Sequence, residues 1–458
     1  TVMSTTSSPT GTPPDTPPGT LHTKAANGTT KELEDQQPQK QAGVEGGLNI
    51  LAAAIFVAAE MAGSGILAIP RAVVDCGWIG MVLVVVFCLN AAYSGTRLGE
   101  CWAIIEERYP DELQGRTRDP YPTIAYKAVG RWGSLVVSFC MQFTLFGASV
   151  VFLLMSAQIV QQLLKDLVPQ VGYCMWFLIF AAAITPPMWL GSPKDFWIVG
   201  FGAVLATGIG CILIFSQTII DGTNLTEPVP HNTQSLKGFL FAFGTILFSY
   251  GGAATFPTIQ NDMAHREKFP ISAAIGFTIV LSLYIPVVAG GYFVYGDNIK
   301  DNILLSLAGG PISTVANILL AAHLVCAFFI VINPVSQHIE QIFNVPHRFC
   351  LKRVIVRTLM VVLMVVVGET IPQFGKILSL VGSSTIALLT FVFPPYFYMR
   401  LCDDKSPNWP ERNIPLYLRV YMWELIGVGL LGGVVSTYSS LQSIVSADTF
   451  TKPCYWPD

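Results

Sequence analysis

Charge is scarce in this chain. Asp, Glu, Lys and Arg make up 12% of its 458 residues, against roughly 25% in an ordinary soluble domain. That shortage excludes a globular protein dissolved in water. There is no basic run and the formal net charge is −3, so nucleic acid is not an expected partner. Histidines number six, and the ten cysteines are scattered without metal-ligand spacing. No His-Glu-x-x-His, nucleophile elbow or Asp-rich metal motif occurs, so neither an enzyme nor a metal or cofactor is expected. No polar or charged ring recurs across several apolar segments, as a channel would need.

Apolar sequence fills the space that charge leaves. Hydrophobic residues reach 52% and the mean hydropathy is +0.54. The class this implies is an all-α polytopic protein of the lipid bilayer, each span needing about 20 apolar residues. Eleven spans are expected: Leu48–Val74, Ile79–Cys101, Leu135–Leu163, Cys174–Leu190, Phe196–Ile220, Phe239–Pro257, Ile271–Val294, Ile312–Pro334, Val354–Ile371, Phe374–Met399 and Val420–Ser443. They define a transmembrane domain over 46–443, with a short tail over 444–458.

Residues 1–45 differ in kind. They are rich in Pro, Thr, Ser, Gly and Gln, which predicts a disordered tail. The numbering opens at Thr1 with the first methionine at Met3, so residues foreign to a native reading frame are expected there. The tail has no apolar core of its own and is not read as a signal peptide.

Basic residues set the orientation. With the tail in the cytoplasm, seventeen Lys and Arg fall on the inner side, from Arg97, Arg108 and Lys127 through Arg266 and Arg353 to Arg412 and Arg419. Six fall on the outer side or at outer span ends: Arg71, Lys165, Lys237, Lys300, Lys376 and Lys452. The positive-inside bias favours this arrangement. Asn224-Leu225-Thr226 then faces outward as a glycosylation sequon, whereas Asn27-Gly28-Thr29 stays in the cytoplasm, unmodified. Cys76, Cys174 and Cys454 also face outward, and one disulfide among them is open in any pairing. The remaining cysteines read as small buried hydrophobes.

Two spans are interrupted. The first carries Glu60 and then Gly63-Ser64-Gly65 in mid-run; the sixth carries Ser249-Tyr250-Gly251-Gly252. Gly65 and Gly252 are each followed five positions later by a proline, Pro70 and Pro257. Paired breaks at corresponding places in two five-span halves point to an inverted-repeat transporter site; close helix packing through small residues is the competing explanation. A broken helix exposes amides and carbonyls that lipid cannot solvate, so the break lines a cavity or is buried in protein. Helix N-termini suit a carboxylate and bare carbonyls suit an ammonium group. Together they match a zwitterion, and hence an amino acid, with Ser249 and Tyr250 adding side-chain contacts.

Glu60 is the expected proton carrier, because burial disfavours the charged form of a carboxylate and charge at the bilayer centre marks function. A structural hydrogen bond across the break is the alternative. His323, midway along the eighth span, is a second proton-coupling candidate, with an interhelical hydrogen bond as its simpler role.

Further motifs carry a resemblance. Phe256-Pro257-Thr258-Ile259-Gln260-Asn261-Asp262-Met263 with Phe269-Pro270, Gly291-Tyr292-Phe293-Val294-Tyr295-Gly296-Asp297, Asn333-Pro334 and Gly382-Ser383-Ser384-Thr385 together resemble the amino acid/auxin permease family. The resemblance runs from about residue 45 to residue 440. It implies a LeuT-like fold of two inverted five-span repeats plus one extra helix. It also implies secondary transport of amino acids, often proton-driven, in a plasma, lysosomal or vesicular membrane. In such folds a sodium site pairs carbonyls of the first span with hydroxyls on the eighth. Here Ala322-His323-Leu324-Val325-Cys326-Ala327 offers no hydroxyl, and a hard cation wants oxygen, so a proton is favoured over sodium. A nutrient sensor on the same fold is the competing function.

Overall fold

The computed structural model describes residues 47–112, 119–190, 196–231, 235–346, 349–407, 409–446 and 452–455. The expected tail over 1–45, with the sequon at Asn27, lies outside the described residues. Fifteen α-helices are described. The first nine are α1 (Ile50–Met61), α2 (Ser64–Cys76), α3 (Ile79–Arg108), α4 (Pro120–Val129), α5 (Arg131–Leu164), α6 (Tyr173–Trp189), α7 (Phe196–Thr223), α8 (Leu236–Ser249) and α9 (Phe256–Asn261). They continue with α10 (Phe269–Gly290), α11 (Pro311–Ile342), α12 (Leu351–Thr370), α13 (Phe374–Val381), α14 (Phe393–Asp403) and α15 (Leu416–Val445). Two π-turns, Gly382–Ile386 and Leu388–Val392, join α13 to α14.

Every expected span is helical or a broken helix. Among the described residues seven helical stretches are long and apolar enough to cross a membrane, and the bent pair α1–α2 makes an eighth. The other three expected spans fall short of that measure for visible reasons. The α6 helix has 17 residues, α8 and α9 are split by the second break, and α12 opens with Lys352, Arg353 and Arg357. One helix went unexpected: α4 is 10 residues long, too short to cross a bilayer and too polar at its start to register as an apolar run. Its Tyr121 is wholly buried, and the hydroxyl donates to the Leu389 carbonyl at 2.6 Å.

The first span bends by 56° between α1 and α2. Ala62 and Gly63 leave the helical conformation, and the Gly63 amide turns back onto the Met61 carbonyl at 2.8 Å. Glycine is the residue that makes such a turn cheapest. In the sixth span the chain leaves α8 after Ser249 and restarts at Phe256, with Pro257 in the first turn of α9, where a missing N–H costs nothing.

The two broken spans pair in opposite senses. Just before α1, the Leu48 amide donates to the Asp262 carbonyl (2.8 Å) and its carbonyl accepts from the Ala264 amide (3.0 Å). The approach to α1 is thereby tied to the exit from α9, on the face that bears Arg266 and Lys268. Towards the opposite face, α2 packs along α8. On that opposite face Cys174 and Cys454 form a disulfide, which chooses one pairing from the three cysteines left open by the sequence; Cys76 is buried and unbridged.

Candidate functional site

The breaks meet. A Cβ added to Gly65 would stand 2.6 Å from Ser249 Oγ and 2.7 Å from Ser249 Cα, so α2 starts in backbone contact with the end of α8. Only a residue without a side chain permits that approach. Gly252 lies over Met61, the last residue of α1, where an added Cβ would come within 3.1 Å of the Met61 side chain. Gly251 packs on Ile386 of the first π-turn.

A third helix joins them. Tyr284 of α10 is completely buried, and its hydroxyl lies 2.7 Å from the Met61 carbonyl and 2.9 Å from the Ser249 carbonyl. Those are the terminal carbonyls of α1 and α8, which have no partner further along their own helices. Sequence reasoning missed Tyr284. Nothing in an apolar helix with one tyrosine shows which neighbouring carbonyls the hydroxyl will find.

The expected residues divide into two groups around this junction. Ser249 and Tyr250 turn their side chains to protein partners. Ser249 Oγ donates to the Thr245 carbonyl at 2.9 Å, and Tyr250 donates to the Val84 carbonyl of α3 at 2.9 Å. Both hydroxyl protons are thereby committed to helix backbone. The amides of Gly251 and Gly252 bond within the turn, to the carbonyls of Phe248 and Tyr250 at 3.0 Å each.

On the first break the polar groups stay open. Ser64 Oγ is buried without a hydrogen-bond partner, at the head of α2, whose first-turn amides likewise lack intrahelical acceptors. His323 reaches the same place from α11. Its Nδ1 lies 2.9 Å from the Ala203 carbonyl; a carbonyl only accepts, so Nδ1 carries the proton. Its Nε2 is buried without a partner and points to within 3.7 Å of where a Cβ on Gly63 would sit. In the neutral ring that nitrogen is an acceptor. Phe152 of α5 closes the other side of Gly63 at 3.6 Å.

Glu60 sits in the last turn of α1, half-buried and within hydrogen-bonding reach of the Thr255 hydroxyl. Thr255 in turn donates to the Gly252 carbonyl at 3.0 Å. That hydroxyl stands between a carboxyl of the first break and a carbonyl of the second. Thr255, like Tyr284 and Phe152, was not singled out by the sequence. Asn224 stands apart, exposed beyond the end of α7, with Nδ2 donating to the Ile220 carbonyl at 3.1 Å.

Taken together, the junction offers amides and a hydroxyl from α2, an imidazole nitrogen from α11 and a carboxyl from α1. Donors and acceptors for a small polar molecule stand there in the middle of an apolar bundle.

Comparison with known proteins bears on the family and the fold. The family described as transmembrane amino acid transporter protein matches residues 46–441. The Arabidopsis thaliana amino acid transporters AVT1C and AVT1J are 25% and 24% identical over 393 and 396 residues, each match covering 84% of this chain. The matches cover 68% and 88% of those relatives. Among solved structures, a mutant manganese transporter of Eremococcus coleocola superposes with a TM-score of 0.56 at 12% identity, over 87% of this chain and 88% of that one. The inward-facing conformation of Mhp1 gives 0.54 at 14% identity, over 86% and 88%. These likenesses establish a LeuT-type transporter fold and leave the cargo to be argued from the site.

Proposed function

This chain belongs to the family of transmembrane amino acid transporter proteins, and we propose that it carries an amino acid across a membrane by alternating access, with a proton as the coupling ion. The observation that carries the proposal is the meeting of the two breaks: Gly65 against the backbone of Ser249, with the Tyr284 hydroxyl on the carbonyls that end α1 and α8. The substrate carboxylate takes the first-turn amides of α2 and Ser64 Oγ. The ammonium takes the remaining lone pairs of the carbonyls between Ser249 and Gly252.

Proton coupling rests on two groups. With the Thr255 proton committed to Gly252, the Thr255 oxygen is left to accept, and the Glu60 carboxyl can donate to it only in its neutral form. Loss of that proton turns Glu60 into a competitor for the Thr255 hydrogen and loosens the link between breaks. His323 occupies the stretch of α11 nearest Gly63, where a hydroxyl would be needed for a hard cation. Its own lone pair accepts a proton instead. The face bearing Arg266 and Lys268 is read as cytoplasmic, by the charge bias.

Uptake into proteoliposomes tests this reading. A panel of radiolabelled amino acids, driven in turn by a pH gradient and by a sodium gradient, should show accumulation with the first and not the second. Saturable binding without accumulation under either gradient would favour the sensor.

A further inference from the structure

Positive charge is left over where α11 meets α12, on the face of the basic loops. Between Asp301 and Glu369 the sequence has a single acidic residue, Glu340, against four Lys and Arg. Three of those four, Lys352, Arg353 and Arg357, lie in the first two turns of α12. Arg353 is 7% exposed, and Arg357 and Glu340 are 4% exposed each, so two guanidinium groups share one carboxylate out of water. Arg357 is the better held. Its Nε lies 2.6 Å from Glu340 Oε1, and its Nη1 donates to the Met188 carbonyl at 2.6 Å. Arg353 Nε stands 3.3 Å from that same oxygen and has no hydrogen-bond partner. A buried charge is costly unless it is paired and hydrogen-bonded, and here one cation is in excess.

Lys352 adds a second at the rim. It is exposed, and it gives one of its three N–H groups to the Phe343 carbonyl at 2.7 Å. The helix strengthens the field. Cys350, its N-cap, makes no side-chain hydrogen bond to the first turn, whose amides lack intrahelical acceptors and carry the positive end of the dipole. An apolar track starts at the same point. Leu351, Ile355 and Leu359 are exposed and four residues apart, which sets them on one face of α12, running from its head into the bilayer. Arg353 and Arg357, also four apart, occupy a neighbouring face and meet Glu340 of α11. A soluble anion would satisfy the cations and leave the track bare. A headgroup that carries an acyl chain fits both.

We infer that the head of α12 binds an anionic phospholipid from the leaflet on the basic face. The lipid phosphate takes Arg353, Lys352 and the first-turn amides of α12, and an acyl chain lies along Leu351, Ile355 and Leu359. Basic pockets between transmembrane helices on the cytoplasmic side hold anionic headgroups by the same forces. Glu340 and Arg357 already join α11, α12 and the end of α6, and the lipid completes that fastening. The inference depends on the spans and not on the cargo.

The test is a titration of the full-length protein, purified in non-ionic detergent, with dioctanoyl phosphatidylglycerol. A ligand that binds only the native state raises the unfolding temperature. Phosphatidylglycerol should raise it to a plateau; dioctanoyl phosphatidylcholine and inorganic phosphate at the same concentration should not. Arg353→Gln should increase the apparent Kd about tenfold, the worth of a charge-assisted hydrogen bond. Lys352→Gln should increase it about fivefold, the worth of one basic residue near an anionic surface. Because Lys352 is exposed, its variant decides the matter if Arg353→Gln folds poorly. Arg419→Gln controls for unspecific attraction: it removes a cation of the same face, one held by Asp403 at 2.6 and 2.8 Å, and should leave the Kd unchanged. Equal stabilisation by phosphate or by phosphatidylcholine would overturn the anionic lipid site. So would a Kd that Lys352→Gln does not move, or that Arg419→Gln moves as far.

Discussion

The hydroxyl of Tyr284 stands 2.7 Å from the carbonyl oxygen of Met61 and 2.9 Å from that of Ser249. One side chain on α10 therefore holds the cut ends of two helices that belong to different halves of the chain. A hydroxyl has one proton to give, so it serves the two carbonyls in alternation or unequally. A shift of either half-helix changes which carbonyl it serves.

Removing the hydroxyl should therefore be felt in stability and in transport. Tyr284→Phe leaves the Ser249 carbonyl without its donor and the Met61 carbonyl with the Gly63 amide alone, at a cost of about 1–3 kcal/mol. Thermal unfolding in detergent should fall accordingly, and proteoliposome uptake should drop about tenfold. Uptake equal to wild type would show that the clip is not part of the transport cycle.

The glycines of the first break should differ in tolerance. A methyl on Gly65 meets the Ser249 backbone at 2.7 Å, whereas one on Gly63 meets Phe152 and His323 at an ordinary 3.6–3.7 Å. Gly65→Ala should abolish uptake, with overpacking of about 1–3 kcal/mol, while Gly63→Ala keeps most of it. Larger side chains fill the gap, so Gly63→Leu and Gly251→Leu should insert into the membrane and fail to transport. Equal activity in the two alanine variants would contradict the close approach of α2 and α8.

The pH profile reports on Glu60. In the proposed coupling, loading needs the neutral carboxyl, so wild-type uptake should fall as the pH on the loading side rises through the titration of that group. Glu60→Gln is neutral at every pH and should show a flat profile. A profile that keeps its slope in Glu60→Gln moves the coupling proton elsewhere, and His323→Gln then becomes the variant to measure.

Far from the breaks, Glu340 is buried between two guanidinium groups. Its Oε1 lies 2.6 Å from Arg357 Nε and 3.3 Å from Arg353 Nε, and Arg357 Nη1 also donates to the Met188 carbonyl at 2.6 Å. The cluster fastens α11 to α12 and to the end of α6. Breaking a buried pair leaves an uncompensated charge and costs about 3–5 kcal/mol. Glu340→Gln should lower the unfolding temperature well beyond any surface substitution; an unchanged temperature would mean that water already reaches the cluster.

Asn224 checks the orientation. It is exposed beside α7, on the face opposite the basic loops. Expression in a eukaryotic cell should give a gel mobility shift that is removed by N-glycosidase and absent in Asn224→Gln. Modification at Asn27 instead would reverse the topology.

Much of this was legible in the chain because hydropathy and backbone propensity are local. Ile50–Val74 announces a span and Gly63-Ser64-Gly65 its rupture without reference to anything else. Asn49 caps α1 through the Ala52 amide, and Pro257 fits a first turn, for equally local reasons. The seventeen-to-six division of basic residues likewise follows from position along the chain.

Distance was not legible. That Gly65 rests on Ser249, that Cys174 joins Cys454 rather than Cys76, and that Tyr284 finds Met61 depend on segments up to 280 residues apart. Tyr250 shows the limit from the other side: its place in the second break marked it for the substrate, yet packing sends its hydroxyl to Val84. The sequence by itself determined where helices form and where they fail, since each residue settles its own backbone cost. Which bare groups then share one gap was decided only by the packing of α2, α8, α10 and α11, because hydrogen bonds between helices are made by proximity that no local pattern encodes.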